Sequence, residues 1–239
     1  MHIYVINLAR SPERREDMSK KLEGSRFTVE FVNAVEGSTV NRSMYPMADG
    51  LSHGEVGCYL SHVEVWKRLS ESGHASALVL EDDVLFKGDV AALCNAFAAL
   101  PFEADLIRMS SLKQAKGEEA CALGAHRLLI ADMHPSGSQG YWLSRTGARK
   151  LLLRMSKPSR EFDKALDRCW QLGMQAFLLD PPAVHEEPSS ITSIPKRSSR
   201  KKPGWMARRL EGWQRRFANI RQKKNLQRQL GRATARPSE

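Results

Sequence analysis

Apolar positions along the chain fall into two kinds of run. Short, mainly apolar runs at residues 3–8, 27–32, 77–80, 104–109, 128–131, 140–143 and 176–179 are too brief for helices and read as strands. Between them lie stretches with helical spacing. Val56, Leu60, Val63, Trp66 and Leu69 recur every three or four residues within 51–72. Residues 90–100, 146–155 and 162–173 have the same character. Ser11-Pro12-Glu13 resembles an N-cap with proline at the first helical position, opening a helix through about Leu22. Residues 33–51 are rich in Gly, Ser, Pro and Asn and predict an irregular excursion. Residues 113–126 read as a loop or weak hairpin, and 181–195 as an extended, proline-containing surface segment. Strands that alternate with helices predict an α/β sandwich with a mostly parallel central sheet. Ligands of such sheets bind beyond the carboxyl ends of the strands.

Charge divides the chain. The 239 residues hold 37 Lys+Arg and 27 Asp+Glu, a formal net of +10. Residues 1–195 are net −3, and residues 196–239, with 15 basic and 2 acidic side chains, are net +13. The boundary predicts a body at 1–195 and a basic tail at 196–239. An apolar fraction of 41% excludes disorder throughout. The four cysteines are widely spaced and form no C-x-x-C pair, so free thiols are expected rather than a disulfide framework or structural zinc. No apolar run approaches the ~18 residues that span a bilayer. The opening residues lack the features of a secretory signal. The expectation is a cytoplasmic protein.

The candidate chemistry lies at the ends of two predicted strands. Ala77-Leu78-Val79-Leu80 runs directly into Glu81-Asp82-Asp83. Three carboxylates after a buried strand are costly unless a cation shares the site. Glu81 and Asp83 point to one side of an extended chain and Asp82 to the other. Glu81 and Asp83 are therefore candidate ligands for Mn²⁺ or Mg²⁺, with substrate phosphates completing the shell. The alternative is a solvated turn that caps the next helix. The first strand ends at Asn7, followed by Arg10, Arg14 and Arg15 around a strand-to-helix turn. A helix N-terminus with guanidinium groups is a candidate anion site; the arginines pairing with Glu13, Glu16 and Asp17 is the alternative. There is no Gly-x-x-x-x-Gly-Lys-Ser/Thr and no Gly-x-Gly-x-x-Gly.

Six segments in order carry a family likeness. They are Val5-Ile-Asn-Leu-Ala-Arg-Ser-Pro-Glu-Arg-Arg15, Phe31-Val-Asn-Ala-Val-Glu-Gly37, Gly54-Glu-Val-Gly-Cys-Tyr-Leu-Ser-His62 with Val65-Trp66-Lys67, Ala77–Val84, Gly140-Tyr-Trp-Leu-Ser-Arg-Thr-Gly-Ala148, and Phe162-Asp163. Over about residues 3–195 the chain resembles glycosyltransferase family 25, the lipopolysaccharide and lipooligosaccharide core glycosyltransferases. It departs from the family pattern at Ala9 and Glu36, where Asp is common, at Glu161-Phe162 before Asp163, and near His185, where a Gln is common.

The resemblance implies a GT-A-like nucleotide-sugar-binding fold. It implies transfer from a UDP-sugar, often UDP-galactose, to a saccharide hydroxyl of a lipid-linked core oligosaccharide. On that reading Glu81 and Asp83 hold the metal. Asn7, Arg10, Arg14, Arg15, His62 and Asp82 contact the donor. Asp163, with Asp167 one turn later, is the candidate base of an inverting transfer. His62 as a satisfied interior histidine and Asp163 as a helix-start charge are the alternatives, and His185 is a candidate metal ligand. A catalytically inactive saccharide- or membrane-tethering protein is the competing function.

In the tail, Met206, Leu210, Trp213, Phe217 and Ile220 share one helical face, with Arg208, Arg209, Arg215, Arg216 and Arg221 around much of the rest. That pattern suits a helix lying in a membrane interface. Residues 196–232 are expected to meet an anionic membrane surface, placing the protein on the inner face of the cytoplasmic membrane. The alternatives are an apolar stripe packed on the body, or phosphate contact with nucleic acid, for which the tail has no recognised fold and no expected specificity.

Overall fold

The computed structural model describes residues 1–25, 27–132, 135–188 and 204–234. Its centre is an eight-stranded sheet built on β1 (His2–Asn7), which is buried along its whole length. On one side β1 pairs in parallel with β2 (Thr28–Asn33), on the other with β3 (Ser76–Glu81). The sheet continues through β8 (Gly140–Ser144), β5 (Leu106–Arg108), β9 (Ala176–Asp180), β7 (His126–Ala131) and β6 (Gly117–Leu123). Strands β8 and β7 run against the other six. The expected mostly parallel α/β sandwich is therefore present, with antiparallel strands inserted beyond β3.

Both faces of the sheet are covered at its centre, which explains why β1 and β3 read as almost continuous apolar runs. Successive side chains of β3 divide between two cores. Leu78 and Leu80 pack with Ile3, Val5 and Trp142 beside Met18 and Leu22 of α1 (Pro12–Leu22) and Leu93 and Phe97 of α3 (Val90–Ala98). Ala77 and Val79 pack with Tyr4, Ile6 and Tyr141 beneath α2 (His53–Glu71), α4 (Arg145–Met155) and α5 (Phe162–Leu166). Each fully buried large apolar side chain contributes about 1.5–3 kcal/mol.

Several elements differ from expectation. Residues 162–173 are not one helix: α5 ends at Leu166, and a 3₁₀ turn at Cys169–Leu172 closes on Gly173 at φ +66°. The weak hairpin is a full one, β6 with β7. Residues 184–186 are not a surface run but a strand, β10 (Val184–Glu186), antiparallel to β4 (Val84–Phe86), with Val184 buried. The remainder of the expected extended segment, 189–195, and the basic stretch 196–203 lie outside the described residues.

The tail forms α6 (Trp205–Thr234). It packs on the body, but not by its apolar stripe. Gln222 Nε2 donates to the carbonyl of Ala176 at 2.8 Å, and Asn219 Nδ2 to that of Ala131 at 3.1 Å. Arg215, expected on the basic outer arc, is instead buried. It lies over the Trp170 ring at 5.6 Å and donates to the Asp167 carbonyl. Leu226 joins the core below. No helix among the described residues is long and apolar enough to cross a membrane. All four cysteines are free thiols.

Candidate active site

The carboxyl ends of β1 and β3 lie side by side, with Ile6 opposite Glu81 in register. The acidic run leaves the sheet there and is held from the first strand-to-helix turn. Asn7 Nδ2 donates to Asp82 Oδ2 at 2.7 Å and to the Ser11 carbonyl at 3.1 Å. Arg14, in the first turn of α1, reaches Asp82 Oδ1 at 3.1 Å and Asp83 Oδ2 at 3.3 Å. These charge-assisted bonds tie the two candidate clusters into one site.

Helix α2 supplies the opposite wall. A capping box starts it, with Ser52 Oγ accepting from the Glu55 amide and Glu55 Oε2 accepting from the Ser52 amide. Gly57 then permits close approach to the segment after β2, since a Cβ there would lie 2.5 Å from the Val35 carbonyl oxygen. The Val35 amide donates to Ser61 Oγ at 2.8 Å. This contact turns Cys58 and His62, one turn apart, toward the carboxylates. The cleft is lined by Arg10, Arg14, Cys58, His62, Glu81, Asp82 and Asp83, together with Glu36 and Gly37. A larger cleft beside α4 is lined by Lys150, Arg154, Lys157 and Arg160 but by no carboxylate, so it lacks the chemistry found here.

Glu81 is braced on three sides. Its amide donates to the Gln139 carbonyl, Ser138 Oγ donates to its Oε1 at 2.8 Å, and His62 Nε2 lies 3.7 Å from the same oxygen. His62 is fixed in turn by Tyr141 Oη, 3.0 Å from Nδ1, and by the Phe162 ring stacked at 3.8 Å. Trp66 Nε1 donates to the same Tyr141 oxygen. Burial lowers the His62 pKa despite Glu81. Burial works to raise that of Glu81, but His62, Ser138 and Arg14 outweigh it and hold the carboxyl below its ordinary value. A neutral imidazole therefore faces an ionised Glu81.

Asp83 is the exposed weakness of the cluster. Its Oδ1 is buried with no hydrogen-bond partner. Burial first, then the Glu81 and Asp82 charges, push its pKa up to about 6 despite Arg14. An orphaned carboxylate oxygen beside two other carboxylates fits a hard divalent cation, the family's implied cofactor. Cys58, His62 and Glu81 form a second, softer set, with ligand atoms within 4.8 Å of one another.

The expected residues do not all converge. Asn7, Arg14, His62, Glu81, Asp82 and Asp83 come together. Arg10 lines the cleft but spends its guanidinium on Glu36, with Nη1 at 2.8 Å from both carboxylate oxygens. Arg15 turns away and stacks over the Phe31 ring at 4.5 Å. Asp163 is buried just past Phe162, close enough for its charge to help keep the Cys58 thiol protonated, but it does not line the carboxylate cleft. Asp167 is held by Arg108 Nη1 at 2.8 Å. His185, on β10, bonds to the Pro182 carbonyl at 3.0 Å and does not line the carboxylate cleft. Cys58 and Ser138 were not anticipated. The i, i+4 spacing of Cys58 and His62 on one helical face was the available signal for the first; nothing local marked the second.

The model of "Glycosyltransferase family 25 (LPS biosynthesis protein)" matches residues 1–170. Inactive glycosyltransferase 25 family member 3 of Mus musculus is 31% identical over 211 residues, covering 75% of this chain and 36% of that protein. Procollagen galactosyltransferase 1 of Danio rerio is 31% identical over 183 residues, covering 67% of this chain and 30% of that one. The chain thus spans about a third of the length of these curated relatives. Among solved structures, the glycosyltransferase GlyE of Streptococcus pneumoniae TIGR4 aligns with 100% of this chain and 65% of its own at 10% identity and TM-score 0.45. The family model's span takes in the first strand, the capped helix and the acidic run that together build the cleft, and the chain belongs to glycosyltransferase family 25.

Proposed function

We propose that this chain is a metal-dependent glycosyltransferase. It moves a sugar, galactose on the family's pattern, from a UDP-sugar to a saccharide hydroxyl of a lipid-linked lipopolysaccharide or lipooligosaccharide core, with inversion. The observation that carries the proposal is Asp83, a half-buried carboxylate with one buried, unpartnered oxygen at the carboxyl end of a parallel strand pair. Folding alone gives no reason to keep such a group. Glu81 and Asp83 would hold Mn²⁺ or Mg²⁺, which when bound supplies positive charge against the departing diphosphate. Asn7 and Arg14 fix Asp82 and keep the acidic run aligned. In the transfer, the acceptor oxygen bonds to the anomeric carbon as the bond from that carbon to the diphosphate oxygen breaks. UDP leaves with the electron pair, and the acceptor proton passes to a base. Asp163 is assigned that role because it lies beside the Cys58 and His62 wall; its burial requires the acceptor to reach it past Phe162.

A panel of UDP-sugars scored by thermal shift, with and without Mn²⁺, tests the reading. One donor is expected to stabilise the chain only with the metal. No stabilisation by any UDP-sugar would count against it. The mouse relative's name favours one competing reading, a tethering protein that binds saccharide without turnover. Metal-dependent donor hydrolysis separates the two, since a tethering protein gives none.

A further inference from the structure

Among the described residues ten large apolar side chains are exposed, and six of them lie on α6: Trp205, Met206, Leu210, Trp213, Phe217 and Ile220. Single exposed apolar residues are ordinary; a contiguous stripe is not. Trp213 is 58% exposed and Phe217 66%. The helix is nevertheless docked. At about 100° per residue, the stripe falls on one side and Arg215, Asn219, Gln222 and Leu226, all buried, on the opposite one. The polar face thus makes the intramolecular contacts, and the apolar face is directed outward by the way the helix is held.

The charge around the stripe is one-sided. Residues 205–234 contain nine basic residues and one acid, Glu211, which turns inward to Arg168 at 2.9 Å. Arg209 and Arg216 border the stripe on one flank and Arg221 on the other, all exposed. Arg209 also lies over the Trp205 ring at 5.9 Å. A second copy of this face would bring like charges together on both flanks. An anionic bilayer surface instead takes the aromatic side chains at its interface and the guanidinium groups at its headgroups.

We propose that the outer face of α6 seats the protein on an anionic lipid surface, lying parallel to it with Trp213 and Phe217 inserted. The inference rests on the helix alone and does not depend on the transfer reaction. Full-length protein, floated with vesicles of phosphatidylcholine alone or with about a third phosphatidylglycerol, tests it. The chain is expected to float with the anionic vesicles and to leave them as salt rises. The variant Trp213→Glu with Phe217→Glu is expected to lose at least about tenfold in partitioning, and Arg209→Glu with Arg216→Glu a similar amount. Both alter exposed positions, so circular dichroism and the thermal midpoint should match the parent chain. Failure of the parent chain to float at low salt overturns the proposal, as does unchanged flotation of the first variant. Sedimentation showing a dimer that the first variant dissolves, without vesicle binding, would assign the face to a second copy. Retention on DNA with no flotation would assign it to phosphate contact in general. None of these outcomes alters the donor panel, so the two readings fail separately.

Discussion

The cleft at the ends of β1 and β3 and the outer face of α6 invert each other. One buries charge that folding would leave in water; the other exposes apolar surface that folding would bury. At the cleft, three successive carboxylates are held together, Asp82 buried and Glu81 and Asp83 half-buried, with the Arg14 guanidinium on Asp82 and Asp83. On α6, a buried Arg215 and Asn219 hold the helix while Trp213 and Phe217 face outward. Each arrangement costs stability in the isolated chain, and each proposal made for it invokes a partner outside the chain that would offset the cost. The two proposals differ in the partner they invoke: a compact cation and diphosphate for the cleft, an extended anionic surface for α6.

The largest effect is expected from removing the carboxylate that defines the cleft. Asp83→Ala should lower metal-dependent transfer by about a thousandfold while leaving the fold intact. Full activity of that variant in EDTA would remove the metal assignment. Asp163→Asn comes next. A lost base costs about a hundredfold or more in turnover, with donor binding retained in the thermal-shift assay. Wild-type turnover would leave Asp163 as a buried structural charge at the start of α5. The wall of the cleft can be tested through stability instead. Gly57→Ala places a methyl 2.5 Å from a backbone oxygen and should cost about 3 kcal/mol in urea unfolding. A neutral result would mean that α2 can shift, and that the positions of Cys58 and His62 are not fixed by this contact.

The two regions were unequally legible in the sequence. The acidic run was readable because an unbroken apolar strand led straight into it. The arginine cluster was only half readable. Arg14 and Arg15 are neighbours in sequence but about 100° apart on a helix, so one enters the cleft and the other meets Phe31. The β4–β10 pair was invisible: three-residue strands have no periodicity, and residues 86 and 184 meet only after the chain has folded. For the tail, the apolar stripe was clear but its direction was not. Pattern alone expects an apolar face to be either the docking face or a membrane face. What settled the intramolecular contacts was a few polar groups, Arg215, Asn219 and Gln222, whose partners are carbonyls at distant positions. That docking also changes how residues 196–239 can be tested. Deleting them would uncover the surface around Trp170 and β9, so point variants on the outer face are the cleaner probe.

The smallest expected effect is the most direct measure of the strain in the cleft. Asp83 has its pKa raised to about 6 in the folded protein by burial and by Glu81 and Asp82. Between the ordinary carboxylate value and about 6, the folded chain therefore binds more protons than the unfolded one. Stability contributed by this group is present at low pH and is lost as pH rises through that window. Asp83→Asn removes the charge and keeps the shape. In EDTA it should be more stable than the parent chain by about 1–2 kcal/mol at pH 8, with the gap closing toward pH 4. Adding Mn²⁺ at pH 8 should reverse the order, because only the parent chain retains the carboxylate that the cation neutralises. A variant no more stable than its parent in EDTA at pH 8 would mean that Asp83 finds compensation within the chain. The cleft would then lose its claim to an absent cation, and the exposed face of α6 would stand as the one region whose cost points outside the molecule.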